Sequence, residues 1–173
     1  MNEKNNKKND GKRRYRDRNK GATYYITCNI NRFKAELTEI EIKEMLLWVL
    51  SRAKLKFKFE MKDFVILNDH CHFIIRPDEN EDAYYLSKIM KWILSVFAKR
   101  YNKYTGQSGK VWYDRFMSEI IEVGRKIKEK SEKLKEYIIR IVDNFKRFEI
   151  NDIFNYKFSG FYHKPEFIFK TLL

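Results

Sequence analysis

The stretch from Phe57 to Arg76 constrains the fold more than any other part of this chain. Phe57 to Leu67 alternates at Phe57, Phe59 and Met61 and then becomes fully apolar. Asn68-Asp69 interrupts the run, and His70 to Arg76 returns as a second one. Two such runs joined by a two-residue turn read as a β-hairpin, which commits the chain to antiparallel pairing. A helical pattern precedes the hairpin. Thr38-Glu39-Ile40-Glu41 has the capping-box form with Thr38 as cap. Ile42, Met45, Leu46, Val49, Leu50 and Ala53 then recur at helical spacing to about Lys54. After Pro77 and the acidic loop Asp78 to Asp82, the residues Tyr85, Ile89, Trp92, Ile93, Val96 and Phe97 form a second helical stripe. It ends near Gly106. Thr23 to Ile30 (TYYITCNI) and Val111 to Ile121 read as the first and fourth strands.

The order is β-α-β-β-α-β. It predicts an α+β fold of ferredoxin-like type, an antiparallel sheet with two helices on one face. An additional C-terminal helix, roughly Val123 to Phe148, is marked by Ile127, Leu134, Ile138, Ile141, Phe145 and Phe148. The aromatic stretch Asn151 to Leu173 is expected to pack back as irregular structure or a short helix.

Charge divides the chain. The net charge is +13, and residues 1–20 hold nine Lys/Arg against three acids with almost nothing apolar. They read as a disordered basic arm, either a solubilising tail or a holder of phosphates. Residues 21–173 form the folded domain and are still basic, at +7. A polyanion is the expected partner. No run of about 18 apolar residues exists, so no membrane span is expected. No signal-peptide pattern opens the chain, and Cys28 and Cys71 make no disulfide framework. A cytoplasmic protein fits.

Two of the three histidines share one tripeptide, His70-Cys71-His72. On a strand, residues i and i+2 share a face, so both imidazoles converge while Cys71 enters the other side. That is the beginning of a metal site, or else a pair of surface histidines. The spacing disfavours a zinc finger, since no CxxC or His-x₃₋₅-His accompanies the pair.

The segment Phe64 to Pro77 (FVILNDHCHFIIRP) resembles the His-hydrophobe-His strand of the single-tyrosine HUH transposases. These are the small transposases of insertion sequences and their relatives associated with repetitive extragenic palindromes. Gly21 to Asn29 (GATYYITCN) is similar to the family's opening strand, and Gly109 to Phe116 (GKVWYDRF) to its Gly-x-x-Trp-x-x-Arg-Phe block. Lys135 to Ile139 (KEYII) and Tyr156 to Tyr162 (YKFSGFY) match later segments, so the resemblance spans about 21–165. It implies cleavage and rejoining of single-stranded or hairpin DNA through a 5′-phosphotyrosine. It also implies a divalent metal, Mg²⁺ or Mn²⁺, on His70 and His72, and Tyr137 as nucleophile. A phenol of pKa about 10 is a poor nucleophile at neutral pH and needs such help. Family members include symmetric dimers and monomers, so a homodimer is one expectation.

By helical spacing Tyr137 lies beside the Leu134/Ile138/Ile141 stripe, so its ring is open to a core reading as well. Tyr101 and Tyr104 are the reserve candidates. The pattern departs at Ile141, where the family expects a polar metal ligand one turn after the tyrosine. Asn144 lies roughly 10 Å along the axis, far for that task. A relative that only binds hairpin DNA is therefore a second reading. An RNA-binding module is a third, although the RNP signature is absent. For DNA contacts the expected residues are Lys110, Arg115 and Arg100, with Arg13 and Arg14 in the arm. Trp112 either stacks on bases or belongs to the core. The lysines of the third helix, Lys130 among them, read as a solvated face. Asp78 or Glu79 would reach the metal if their loop folded back.

Overall fold

The computed structural model describes residues 21–82, 84–121, 128–133 and 156–160. The elements are β1 (Thr23–Asn29), α1 (Ile40–Lys56), β2 (Phe59–Ile66), β3 (His70–Pro77), α2 (Tyr85–Thr105) and β4 (Met117–Ile121). The strands lie in the order β2-β3-β1-β4, every neighbour antiparallel. This is the α+β ferredoxin-like arrangement expected from the sequence. Residues 128–133 are helical and fall within the expected third helix. The 1–20 arm and most of the third helix lie outside the described residues.

Alternation separates the two faces of the sheet. Tyr24, Ile26 and Cys28 of β1 and Cys71, Phe73 and Ile75 of β3 join one core with Phe64 and Ile66 of β2. The helices close that core with Leu46, Val49 and Leu50 of α1 and Ile89, Ile93 and Phe97 of α2, all essentially inaccessible. The opposite face carries Tyr25 and Thr27 of β1 with His70 and His72 of β3.

The turn before His70 is held from three directions. Leu67 N–H donates to the His70 carbonyl at 2.9 Å and closes the hairpin, while Ile30 N–H donates to the Asp69 carbonyl at 2.9 Å. From α1, the Lys43 ammonium donates to Asn68 Oδ1 at 2.8 Å and to the Tyr156 hydroxyl at 3.3 Å. Burial pulls the Lys43 pKa down to about 8. Outside β2, residues 156–160 cover the strand edge: Ile66 N–H donates to the Phe158 carbonyl and Gly160 N–H to the Phe64 carbonyl. A Cβ at Gly160 would run into Asp63 Oδ1 and crowd the Phe64 N–H, so a larger residue there would have to displace this edge contact.

Two local expectations change. Thr38 is not the cap of α1: Glu39 occupies the N-cap without a side-chain cap bond, and its carboxylate accepts from the Tyr104 hydroxyl at 3.2 Å. The fourth strand starts at Met117 and not at Val111. Val111 and Trp112 are buried beside the sheet, but only the isolated Ile30–Trp112 bridge joins them to it, and the ladder resumes at Met117.

Candidate active site

The histidine strand places its three residues as alternation requires. Cys71 is fully buried opposite Cys28, and burial followed by the neighbouring thiol pushes its own thiol well up. It is a core residue. On the other face the His70 and His72 rings meet at 4.9 Å between centroids and 81° between planes.

Each imidazole is held at Nδ1 by an oxygen. His70 Nδ1 lies 2.5 Å from Asp69 Oδ1, and His72 Nδ1 lies 3.0 Å from Thr27 Oγ1. Thr27 is the ladder partner of His72, so strand register delivers that hydroxyl. Asp69 is also gripped by Arg32. Burial alone would raise the Asp69 carboxyl, but the hydrogen bond and charge of His70, then Arg32, outweigh it and hold the carboxyl below its usual range. His72 is only 9% exposed. Burial first, then the charge of His70, pulls its pKa down to about 4, with Lys130 adding to the fall and the Ile26 carbonyl opposing it. At neutral pH His72 is an uncharged imidazole, the form that coordinates metal.

A wider shell supports His72. Tyr25 stacks on it at 5.2 Å and 24°. The Lys130 ammonium sits 4.8 Å above the Tyr25 ring and pairs with Glu119 at 2.9 Å. Lys130 is thus part of this cluster and not of a solvated face. An imidazole held at Nδ1 by an oxygen partner is the usual support of a metal-ligating histidine. The donor set fits two ligands of a divalent cation. Among the described residues, no third His, Cys, Asp or Glu joins them.

The other sequence candidates separate. Tyr137, Ile141, Asn144, Arg13 and Arg14 lie outside the described residues. Trp112 belongs to the core: it is 6% exposed, packs on Phe97 at 5.2 Å and donates its indole N–H to the Leu94 carbonyl. It has no open face to stack on a base. The neighbouring Tyr113 is exposed. Lys110 and Arg115, with Lys91 of α2, line a groove of about 770 Å³ between α2 and the 109–116 segment. Arg100 does not join them. Its guanidinium lies 3.6 Å over the Trp48 ring of α1, in the helix layer across the sheet from the histidines. Tyr101 is buried with its hydroxyl accepting from Glu36 N–H, and Tyr104 faces Glu39. Both reserve nucleophiles are therefore in the helix layer. Asp78 and Glu79 follow the far end of β3, roughly 20 Å from His72 at strand rise, so their loop does not reach the pair.

The sequence reading missed Thr27, Tyr25, Asp69 and Lys130. Asp69 stood next to His70 and was readable as its partner. Thr27 and Tyr25 needed the β1–β3 register.

A family model described as "Transposase IS200 like" matches residues 20–141. No curated protein matches the chain. Among solved structures, a REP-associated tyrosine transposase bound to a REP hairpin is 22% identical with a TM-score of 0.64. That match covers 85% of this chain and 81% of the other. A candidate transposase from Deinococcus radiodurans R1 is 12% identical over 68% of this chain and 88% of its own, with a TM-score of 0.44. The first likeness shows the fold. Among the described residues, no helix is long and apolar enough to cross a membrane.

Proposed function

Since the chain belongs to the IS200-like transposase family, a family of DNA transposition, we propose that it cleaves and rejoins single-stranded DNA at the His70–His72 face with Tyr137 as nucleophile. The observation that carries this reading is the pair of imidazoles on one strand face, each oriented by an oxygen partner at Nδ1. In the proposed step the Tyr137 oxygen bonds to the scissile phosphorus as the bond to the 3′ oxygen breaks. The phenol proton ends on the freed 3′ hydroxyl. The 5′-phosphotyrosine keeps the bond energy, so a later 3′ hydroxyl can reverse the step onto a new strand. A divalent metal on His70 and His72, Mg²⁺ or Mn²⁺, would draw charge from the phosphate. Substrate oxygens and water would complete its shell, as is usual for hard cations. Thr27 and Asp69 hold the two ligand rings. Lys110 and Arg115, with Arg13 and Arg14, would contact the backbone. A hairpin is the proposed substrate, by likeness to the relative bound to one.

The test is incubation of the whole protein with a labelled hairpin carrying single-stranded flanks, in Mn²⁺. The expected result is a covalent protein–DNA adduct that Tyr137→Phe removes and that His70→Ala strongly reduces. An adduct that survives Tyr137→Phe would overturn the nucleophile. Ile141, where a polar ligand is expected, supports a second reading: a relative that binds hairpins without cutting. That reading predicts salt-sensitive binding and no adduct with any divalent metal.

A further inference from the structure

We propose that Tyr25 and Lys130 are positioning residues that fix the plane of the His72 imidazole; the role assigned to that ring rests on the metal reading above. A histidine on a strand turns about two side-chain bonds. The Thr27 contact at 3.0 Å restrains one ring nitrogen, and the His70 ring meets His72 edge-on at 4.9 Å. Tyr25 restrains the tilt of the ring plane. Its ring lies nearly parallel to His72, 24° off and 5.2 Å away, along one face of the imidazole.

Tyr25 is itself clamped. Lys130 Nζ lies 4.8 Å from its centroid, and the same ammonium pairs with Glu119 at 2.9 Å. Glu119 is the β4 residue opposite Tyr25 in the ladder. One cation therefore spans two strands and presses on the ring that supports His72. The Lys130 side chain is only 21% exposed, which a lysine on an open helix face would not be. Lys130 belongs to the helical residues 128–133, outside the sheet. Docking of that helical turn is thus coupled, through Tyr25, to the orientation of a proposed metal ligand. In the sequence Tyr137 follows seven residues later, so one segment of chain carries both the clamp and the proposed nucleophile.

The test compares Tyr25→Leu, Tyr25→Phe, Lys130→Met and Lys130→Arg in the full chain. Two readouts are used: Co²⁺ titration followed by visible absorption, and the His72 imidazole NMR resonance of the metal-free protein. Tyr25→Leu and Lys130→Met are expected to bind Co²⁺ about 10-fold more weakly, as removal of an outer support does. Both should also displace the His72 resonance. Tyr25→Phe keeps the ring and Lys130→Arg keeps the cation, so both should stay near wild type. If Tyr25→Leu fails to fold, Lys130→Met keeps the aliphatic stem and decides. An unmoved His72 resonance in Lys130→Met, with wild-type Co²⁺ affinity, overturns the proposal. So does a Lys130→Arg variant as impaired as Lys130→Met. If the wild type takes up no Co²⁺ while the resonance still moves, the metal reading fails and the positioning role stands.

Discussion

Within β3, Cys71, Phe73 and Ile75 point toward the helices, and His70 and His72 point away from them. The first set is inaccessible and belongs to the apolar core, where Cys71 faces Cys28. In the second set, each ring nitrogen Nδ1 has its own oxygen partner, and the rings sit against each other and against Tyr25. One backbone therefore serves two kinds of energetics. On the helix side the free energy comes from volume filled and area removed from water. On the other side a buried polar ring is tolerable because its hydrogen bonds are made. The contrast also explains how the pair is positioned. The histidines need no scaffold of their own, since the strand they stand on is fixed by the core behind it.

The sharpest way to break this division is to alter one residue on each side. Phe73→Ala should cost about 3–5 kcal/mol of stability, the usual range for an emptied core aromatic. His72→Ala should cost about 1 kcal/mol, a typical single-site value, and abolish tight Mn²⁺ binding. Denaturant unfolding with and without Mn²⁺ measures both, and equal stability losses would end the distinction.

The next effect is in pH. The folded-state pKa of His72, about 4, lies below its ordinary 6.5. A group depressed in this way contributes stability above its unfolded pKa and loses it as pH falls toward the folded value. Stability should therefore decline between about pH 6.5 and pH 4, by on the order of 3 kcal/mol from this group. His72→Ala should unfold with a flatter pH dependence across that window. Parallel curves for the two proteins would refute the assignment.

The smallest expected effect concerns the partner of His70. Asp69→Asn keeps the shape and an acceptor but removes the charge. Isothermal titration should show Mn²⁺ binding weakened by roughly 10- to 100-fold, with the fold retained. Unchanged affinity would mean that Asp69 serves only Arg32 and the turn.

Much of the fold was legible because its signals are local. The helical stripes through Leu46 and Ile93, the left-handed end of α2 at Gly106 and the hairpin about Asn68-Asp69 all stand in the order the sequence implied. The misreadings occurred where tertiary packing overrode a local pattern. Trp112 was drawn inward by Phe97 and the Leu94 carbonyl, which ended the extended pattern before β4. Arg100 was drawn to Trp48, a partner more than fifty residues away in sequence.

The sequence by itself determined the order of elements and the face on which each strand residue stands. Both depend only on backbone periods of 2.0 and 3.6 residues. That is why His70 and His72 were paired, and Cys71 set apart, before any coordinates. The tertiary structure alone decided what surrounds the pair. Thr27 and Tyr25 reach His72 only because β1 lies beside β3 in one particular register, and Lys130 reaches Tyr25 only because residues 128–133 rest near that face. Such contacts join segments about 45 to 105 residues apart. Their register follows from the summed packing of the whole sheet, and no local spacing encodes it.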